Sequence, residues 1–107
     1  MEKRNLLEGI PGLLPEEDIA PLVETKELLL ERIVSTGHAS PEGFWYDQDR
    51  TEWVLLLQGR AALIFEGQAE PLILQSGECV EIPAHVRHRV LWTDPHGITI
   101  WLALHYG

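Results

Sequence analysis

Tyr46, Gln48, Glu52 and His88 are the polar residues of this sequence whose types and spacing suit convergent chemistry. Phe44, Tyr46 and Gln48 stand two residues apart, as do His88, Val90 and Trp92. Residues two apart on an extended strand point to one face. A phenol, an amide, a carboxylate and an imidazole gathered between Phe44 and Trp92 would form an aromatic wall with a few hydrogen-bonding groups, which is the make-up of a small-molecule site. Glu52 joins the set after a bulge or loop. The same residues equally suit a filled barrel, with Phe44 and Trp92 as packing and Glu52 and His88 bonded to each other or to a buried water.

Other chemistries find less support. Ser35, Ser40 and Ser76 lack the strained elbow of a nucleophile, no glycine-rich phosphate loop occurs, and Arg50, Arg60, Arg87 and Arg89 form no anion cradle. Cys79 is the only cysteine, so it forms no internal disulfide, and its place in a strand-like run reads as a buried structural thiol. His38 and His96 fall in turn-like segments, and His105 falls near the end of the last apolar run, all suited to solvated or packed imidazoles. His85, three residues before His88 at the turn into the same run, reads either as a second ligand or acid/base group or as a turn residue facing solvent.

The elements that must position these groups are strands. Short apolar runs at 28–34, 52–57, 61–65, 72–74, 79–82, 88–92 and 98–106 are separated by turn residues such as Gln58-Gly59, Glu66-Gly67 and Ser76-Gly77. This spacing predicts an all-β antiparallel barrel or sandwich rather than βαβ units. Ahead of it, Pro15, Glu16, Glu17 and Asp18 suit a first helical turn that Pro21 would end, so a short N-terminal helical turn is expected. The organisation read from the pattern is an N-terminal arm, 1–26, packed on a barrel, 27–107.

Composition narrows the partners. Seventeen acidic against eight basic side chains give a formal charge of -9, which repels phosphate backbones and anionic membranes, so neither nucleic acid nor a membrane is expected. No apolar run has the length of a secretory signal or a transmembrane helix, and with the lone cysteine this suits a reducing cytoplasm. The run 53–57 is apolar on both faces, so something must cover its outer side. The N-terminal arm, with Leu6, Leu7, Leu13 and Leu14, or a second copy in a homodimer would do so.

From about Gly37 to the C-terminus the chain resembles the cupin superfamily, specifically the small bacterial single-domain cupins. The family's first motif has two histidines one residue apart, then three or four residues, a glutamate, six residues and a glycine. Here Glu52 and Gly59 fit, while Tyr46 and Gln48 replace both histidines. The second motif is matched by Gly77, Pro83 and His88, with His85 in place of its second glycine. The resemblance implies a double-stranded β-helix, or jelly-roll, barrel and places the ligands of a divalent transition metal (Mn, Fe, Ni or Zn) at positions 46, 48, 52 and 88. Gln48, Glu52 and His88, with His85 as a further candidate, would then hold the ion, with fewer nitrogen donors than the family's usual set.

Three readings follow. The first is a cavity that binds a small molecule, without catalysis or with weak metal dependence, through Phe44, Tyr46, Gln48, Glu52, His88 and Trp92. The second is a metal-dependent enzyme of oxygenase or isomerase type using Glu52 and His88. The third is a dimeric scaffold with a filled barrel.

Overall fold

The computed structural model describes residues 1–107 and contains strands and turns only. Eight strands occur in the order β1 (Asp18–Glu24), β2 (Leu28–Ser35), β3 (Thr51–Gln58), β4 (Arg60–Phe65), β5 (Leu72–Gln75), β6 (Cys79–Ile82), β7 (His88–Thr93) and β8 (Thr99–Tyr106). They form a five-stranded sheet, β1-β2-β8-β3-β6, and a three-stranded sheet, β5-β4-β7, with all pairings antiparallel. The jelly-roll barrel expected from the motifs is the architecture observed, and the seven expected runs all become strands.

The expected helical turn at 15–18 does not form. Asp18 instead opens β1, which pairs with β2 from Asp18↔Val34 to Glu24↔Leu29. Pro21 is tolerated because β1 is an edge strand, and the register shifts between Pro21 and Val23. A strand of the large sheet thus lies within the segment read as an arm, and the β-structure begins at Asp18 rather than at Glu27.

The two sheets face each other across a core. On β3 the burial alternates, with Glu52, Val54 and Leu56 buried while Trp53, Leu55 and Leu57 are half-buried on the outer face. Val54, Leu56, Leu63, Leu74, Ile82 and Trp101 join the two sheets in one apolar cluster. Cys79 departs from expectation: it is exposed, because it pairs with Leu55 on edge strand β6 and shares the outward parity of that residue.

Consecutive strands β3 and β4 belong to different sheets, and the single residue Gly59 turns the corner between them. Its φ is +96°, and a Cβ there would lie 2.6 Å from Thr99 Oγ1 and 2.9 Å from the Ile98 carbonyl oxygen. Both the backbone conformation and the space therefore require glycine. Gly59→Ala should cost at least about 1–3 kcal/mol, read as a lowered midpoint in urea unfolding. An unchanged midpoint would show that this corner carries no such constraint.

Candidate functional site

The barrel interior contains one apolar cavity that reaches polar groups of both sheets. Its volume is about 100 Å³, and Ile19, Ile33, Val54, Leu63, Val90 and Trp101 supply apolar wall. Glu17, Glu31, Tyr46, Glu52 and His88 bring polar atoms to it, and no lysine or arginine lines it. An engineered cavity of about 150 Å³ holds benzene, so this volume suits a group of about four non-hydrogen atoms.

Glu52 and His88 meet across this space. Glu52 lies on β3 of the large sheet and His88 on β7 of the small one; they are 8% and 5% exposed, and His88 Nε2 is 3.2 Å from Glu52 Oε1. His88 Nδ1 lies 2.8 Å from the Val86 carbonyl oxygen. A ring with both nitrogens against acceptors is best satisfied as the doubly protonated imidazolium. Burial alone would lower its pKa, but the hydrogen bond to Glu52, the Val86 carbonyl and the charge on Glu52 together raise it above the ordinary 6.5.

The polar line continues beyond the two motif residues. Glu52 Oε2 is 3.7 Å from His105 Nε2, which is 2.8 Å from Glu31 Oε1. On the far side of the cavity Ser35 donates a 2.6 Å hydrogen bond to Glu17 Oε2. The alternating parity of β2 and β8 aims these groups inward: Glu31 is two residues from Ile33, and His105 is two from Ala103, both cavity residues. The motifs single out neither Glu17 nor Glu31, and His105 reads from sequence as packed or solvated. The signal that could find Glu31 and His105 is parity with Ile33 and Trp101, legible once the β2–β8 pairing is known.

Tyr46 does reach the cavity. Its backbone exchanges two hydrogen bonds with His88, at 2.7 and 3.2 Å, and its ring stacks on the imidazole at 5.6 Å between centroids. Burial and then the nearby carboxylates Glu17, Glu52 and Glu31 raise the pKa of its phenol above 10.0. Tyr46 therefore stays protonated, with its hydroxyl available to donate a hydrogen bond.

Four other expected residues lie off the cavity wall. Phe44 is 43% exposed and sets its ring edge-on to Tyr46. Gln48 no longer obeys strand parity, because the chain leaves the ladder after the Tyr46↔His88 bridge. Its backbone oxygen accepts from His85 N, and its side-chain oxygen is buried without a partner. Trp92 shares parity with His88 only without the register shift in β7: Leu63 pairs with Val90 but Ala62 with Trp92, so Leu91 is an extra residue. The indole turns to the side of Ala62 and lies under the Arg60 guanidinium, 5.3 Å away. His85 is exposed, with Nδ1 2.8 Å from Asp47 Oδ1, and its φ of +65° explains how it occupies a position that the motif gives to glycine.

These placements decide the fit of a transition metal. Of the four motif positions only Tyr46, Glu52 and His88 line the cavity, the phenol is held protonated, and the imidazole is already bonded to the carboxylate. Although several carboxylates and imidazoles border the cavity, no three His, Cys, Asp or Glu side chains bring their donor atoms together closely enough to hold an ion. The donor set in this arrangement does not fit the metal centre that the family resemblance implies.

No protein-family profile matches the chain, and no curated protein does. Solved structures do match. A protein of Ralstonia eutropha JMP134, described as a candidate mannose-6-phosphate isomerase, is 44% identical; the match covers 99% of this chain and 98% of that one, with a TM-score of 0.95. A cupin superfamily protein of Desulfitobacterium hafniense DCB-2 is 18% identical over 99% of this chain and 92% of that one, with a TM-score of 0.79. An RmlC-like cupin of Desulfovibrio desulfuricans is 15% identical over 98% and 96%, with a TM-score of 0.74.

The raised pKa of His88 has a defined consequence for pH. A histidine whose folded pKa exceeds its unfolded value contributes stability that is complete below the unfolded pKa, here 6.5, and lost as pH rises through the folded one. An NMR titration of the His88 ring should give a midpoint above 6.5 in the wild type and a lower one in Glu52→Gln. A wild-type midpoint below 6.5 would mean that burial outweighs the pair.

Proposed function

The chain belongs to the cupin superfamily, and on that premise we propose that it binds a small molecule in its barrel, with Glu52, His88 and Tyr46 as polar anchors. The observation that carries this reading is the buried Glu52–His88 pair, 3.2 Å apart, on the wall of an otherwise apolar cavity. A few fixed polar groups in an apolar concavity supply orientation and specificity to a ligand. A filled-barrel scaffold is less well supported, since the space beside these groups remains open.

The enzyme reading draws on the Ralstonia relative. A sugar phosphate carries about two negative charges, whereas this cavity presents Glu17, Glu31 and Glu52 with no lysine or arginine. That charge pattern speaks against mannose 6-phosphate, and purified protein should neither turn it over nor bind it. Turnover would restore the isomerase reading.

The outer face of β3 suits a second copy. Trp53 lies opposite Leu104, and Leu55 opposite Leu102, in a half-buried apolar strip. The N-terminal arm bonds to β2 and the residue after it, Leu6 O accepting from Arg32 beside Leu102 and Leu14 N donating to Thr36, with no hydrogen bond to β3 itself. A homodimer through this strip should appear as twice the monomer mass at micromolar concentration in sedimentation, reverting to monomer in Leu55→Arg. A monomeric wild type would end that assignment.

The anchor reading itself is checked by metal titration and thermal melting of wild type, Glu52→Ala and His88→Ala. Expected are no stoichiometric uptake of Mn, Fe, Ni or Zn, and a loss of about 1–3 kcal/mol in each variant from the partner left unsatisfied. Stoichiometric uptake abolished by either substitution would favour the metal-dependent enzyme, and unchanged melts would remove the anchors.

A further inference from the structure

The cavity holds more negative than positive groups in any state of its histidines. Glu17, Glu31 and Glu52 line it, and only His88 and His105 stand beside them. With both imidazoles protonated, one carboxylate remains unbalanced. With both neutral, all three do. An unbalanced charge behind apolar walls is costly unless a counter-charge reaches it.

Glu52 shows where that counter-charge is wanted. The residue is more than nine-tenths buried, at 8% exposure, and Oε1 is taken by His88. Oε2 accepts no hydrogen bond: the His105 Nε2 atom lies 3.7 Å away, and that imidazole is engaged at 2.8 Å by Glu31 instead. Glu31 and Glu17 likewise each commit one oxygen, to His105 and Ser35. Three carboxylates thus keep an acceptor oxygen available around a space walled by aliphatic side chains and by the rings of Tyr46 and Trp101. Aromatic faces attract cations as carboxylates do.

The cavity is also open on one side. Glu17, Tyr46 and Val90 line both it and an outer groove of about 270 Å³ between residues 15–17 and 38–41. The groove therefore adjoins the cavity at Tyr46, on the path of any ligand whose compact end lies inside.

We propose that the ligand is a small organic cation whose alkylammonium end occupies the inner cavity against Glu17, Glu31 and Glu52, with its remainder in the groove beyond Tyr46. This rests on the small-molecule reading of the same cavity and specifies its ligand class. A metal ion would use the carboxylates but leave the apolar walls and the outer groove without contacts. An alkylammonium uses all three.

Three probes of matched size test the class: propylammonium, propionate and propanol, each titrated into the wild-type protein while the ring signals of Tyr46 and His88 are followed by NMR. Propylammonium should shift these rings saturably, with the millimolar affinity appropriate to so few atoms, and should bind at least tenfold more tightly than the other two. Glu17→Gln and Glu31→Gln, which keep a hydrogen-bonding oxygen toward Ser35 and an amide toward His105, should each weaken propylammonium at least threefold and leave propanol unchanged. If propionate or propanol binds as well as propylammonium, the cation assignment is overturned while the small-molecule reading stands. If none of the three perturbs the rings, both fall. The comparison of probes needs no variant, so a misfolded Gln protein leaves the test intact.

Discussion

A carboxylate buried between two sheets is the constraint from which the rest of this barrel follows. Glu52 is 8% exposed, so its charge must be met largely by groups beside it, and the fold supplies His88 on the opposite sheet at 3.2 Å, with His105 on the adjacent strand farther off at 3.7 Å. Leaving it alone would cost far more than an ordinary hydrogen bond returns. Its pairing is therefore conditional on three strands holding their places. β3 must stay in register with β8, which sets His105 opposite Glu52, and β7 must bring His88 across the cavity. The contact that gives the cavity its polar end also ties the sheets together.

Several distant features serve this geometry. Gly59 lets the chain pass from one sheet to the other in a single residue, so that Glu52 and Leu63 can face the same space from consecutive strands. The Tyr46 backbone pairs with His88 and its ring covers the imidazole, while Phe65 lies on another side at 6.0 Å. With its Nδ1 on the Val86 carbonyl, the His88 ring has little freedom to turn away from Glu52. Edge strand β1 then closes the cavity with Ile19, and Glu17 just before it reaches back to Ser35.

Much of this was legible in the sequence, and the misses have physical causes. Motif spacing identified Glu52 and His88, and turn residues bounded seven of the eight strands. β1 escaped because Pro21 and flanking acidic residues read as helix start and stop, and the pattern says nothing of edge strands, where proline is permitted. Trp92 escaped through one extra residue, Leu91, since a bulge inverts every parity argument beyond it. Gln48 escaped because period two holds only while the chain stays in a ladder. Glu31 lies within the apolar run 28–34, and no motif singles it out. Only the pairing of β2 with β8, a relation between residues some seventy positions apart, turns it and His105 toward one another.

The exchange of two histidines for Tyr46 and Gln48 changes what the remaining pair can do. With several imidazoles at a site, a carboxylate is one donor among many and a metal ion is the natural counter-charge. Here Tyr46 offers a protonated phenol, Gln48 is not among the cavity-lining residues, and His88 carries its proton toward Glu52 because the pair favours the charged form of the ring. A metal must displace that proton before it can bind, since a coordinating imidazole has to be neutral. An ammonium group has no such competitor: it donates to carboxylate oxygens that already tolerate an imidazolium nearby, and its carbon atoms meet the aliphatic wall. With Tyr46 and Gln48 at the two positions where the resemblance sets histidines, the buried carboxylate of Glu52 is thus better matched to the proposed organic cation than to a metal ion.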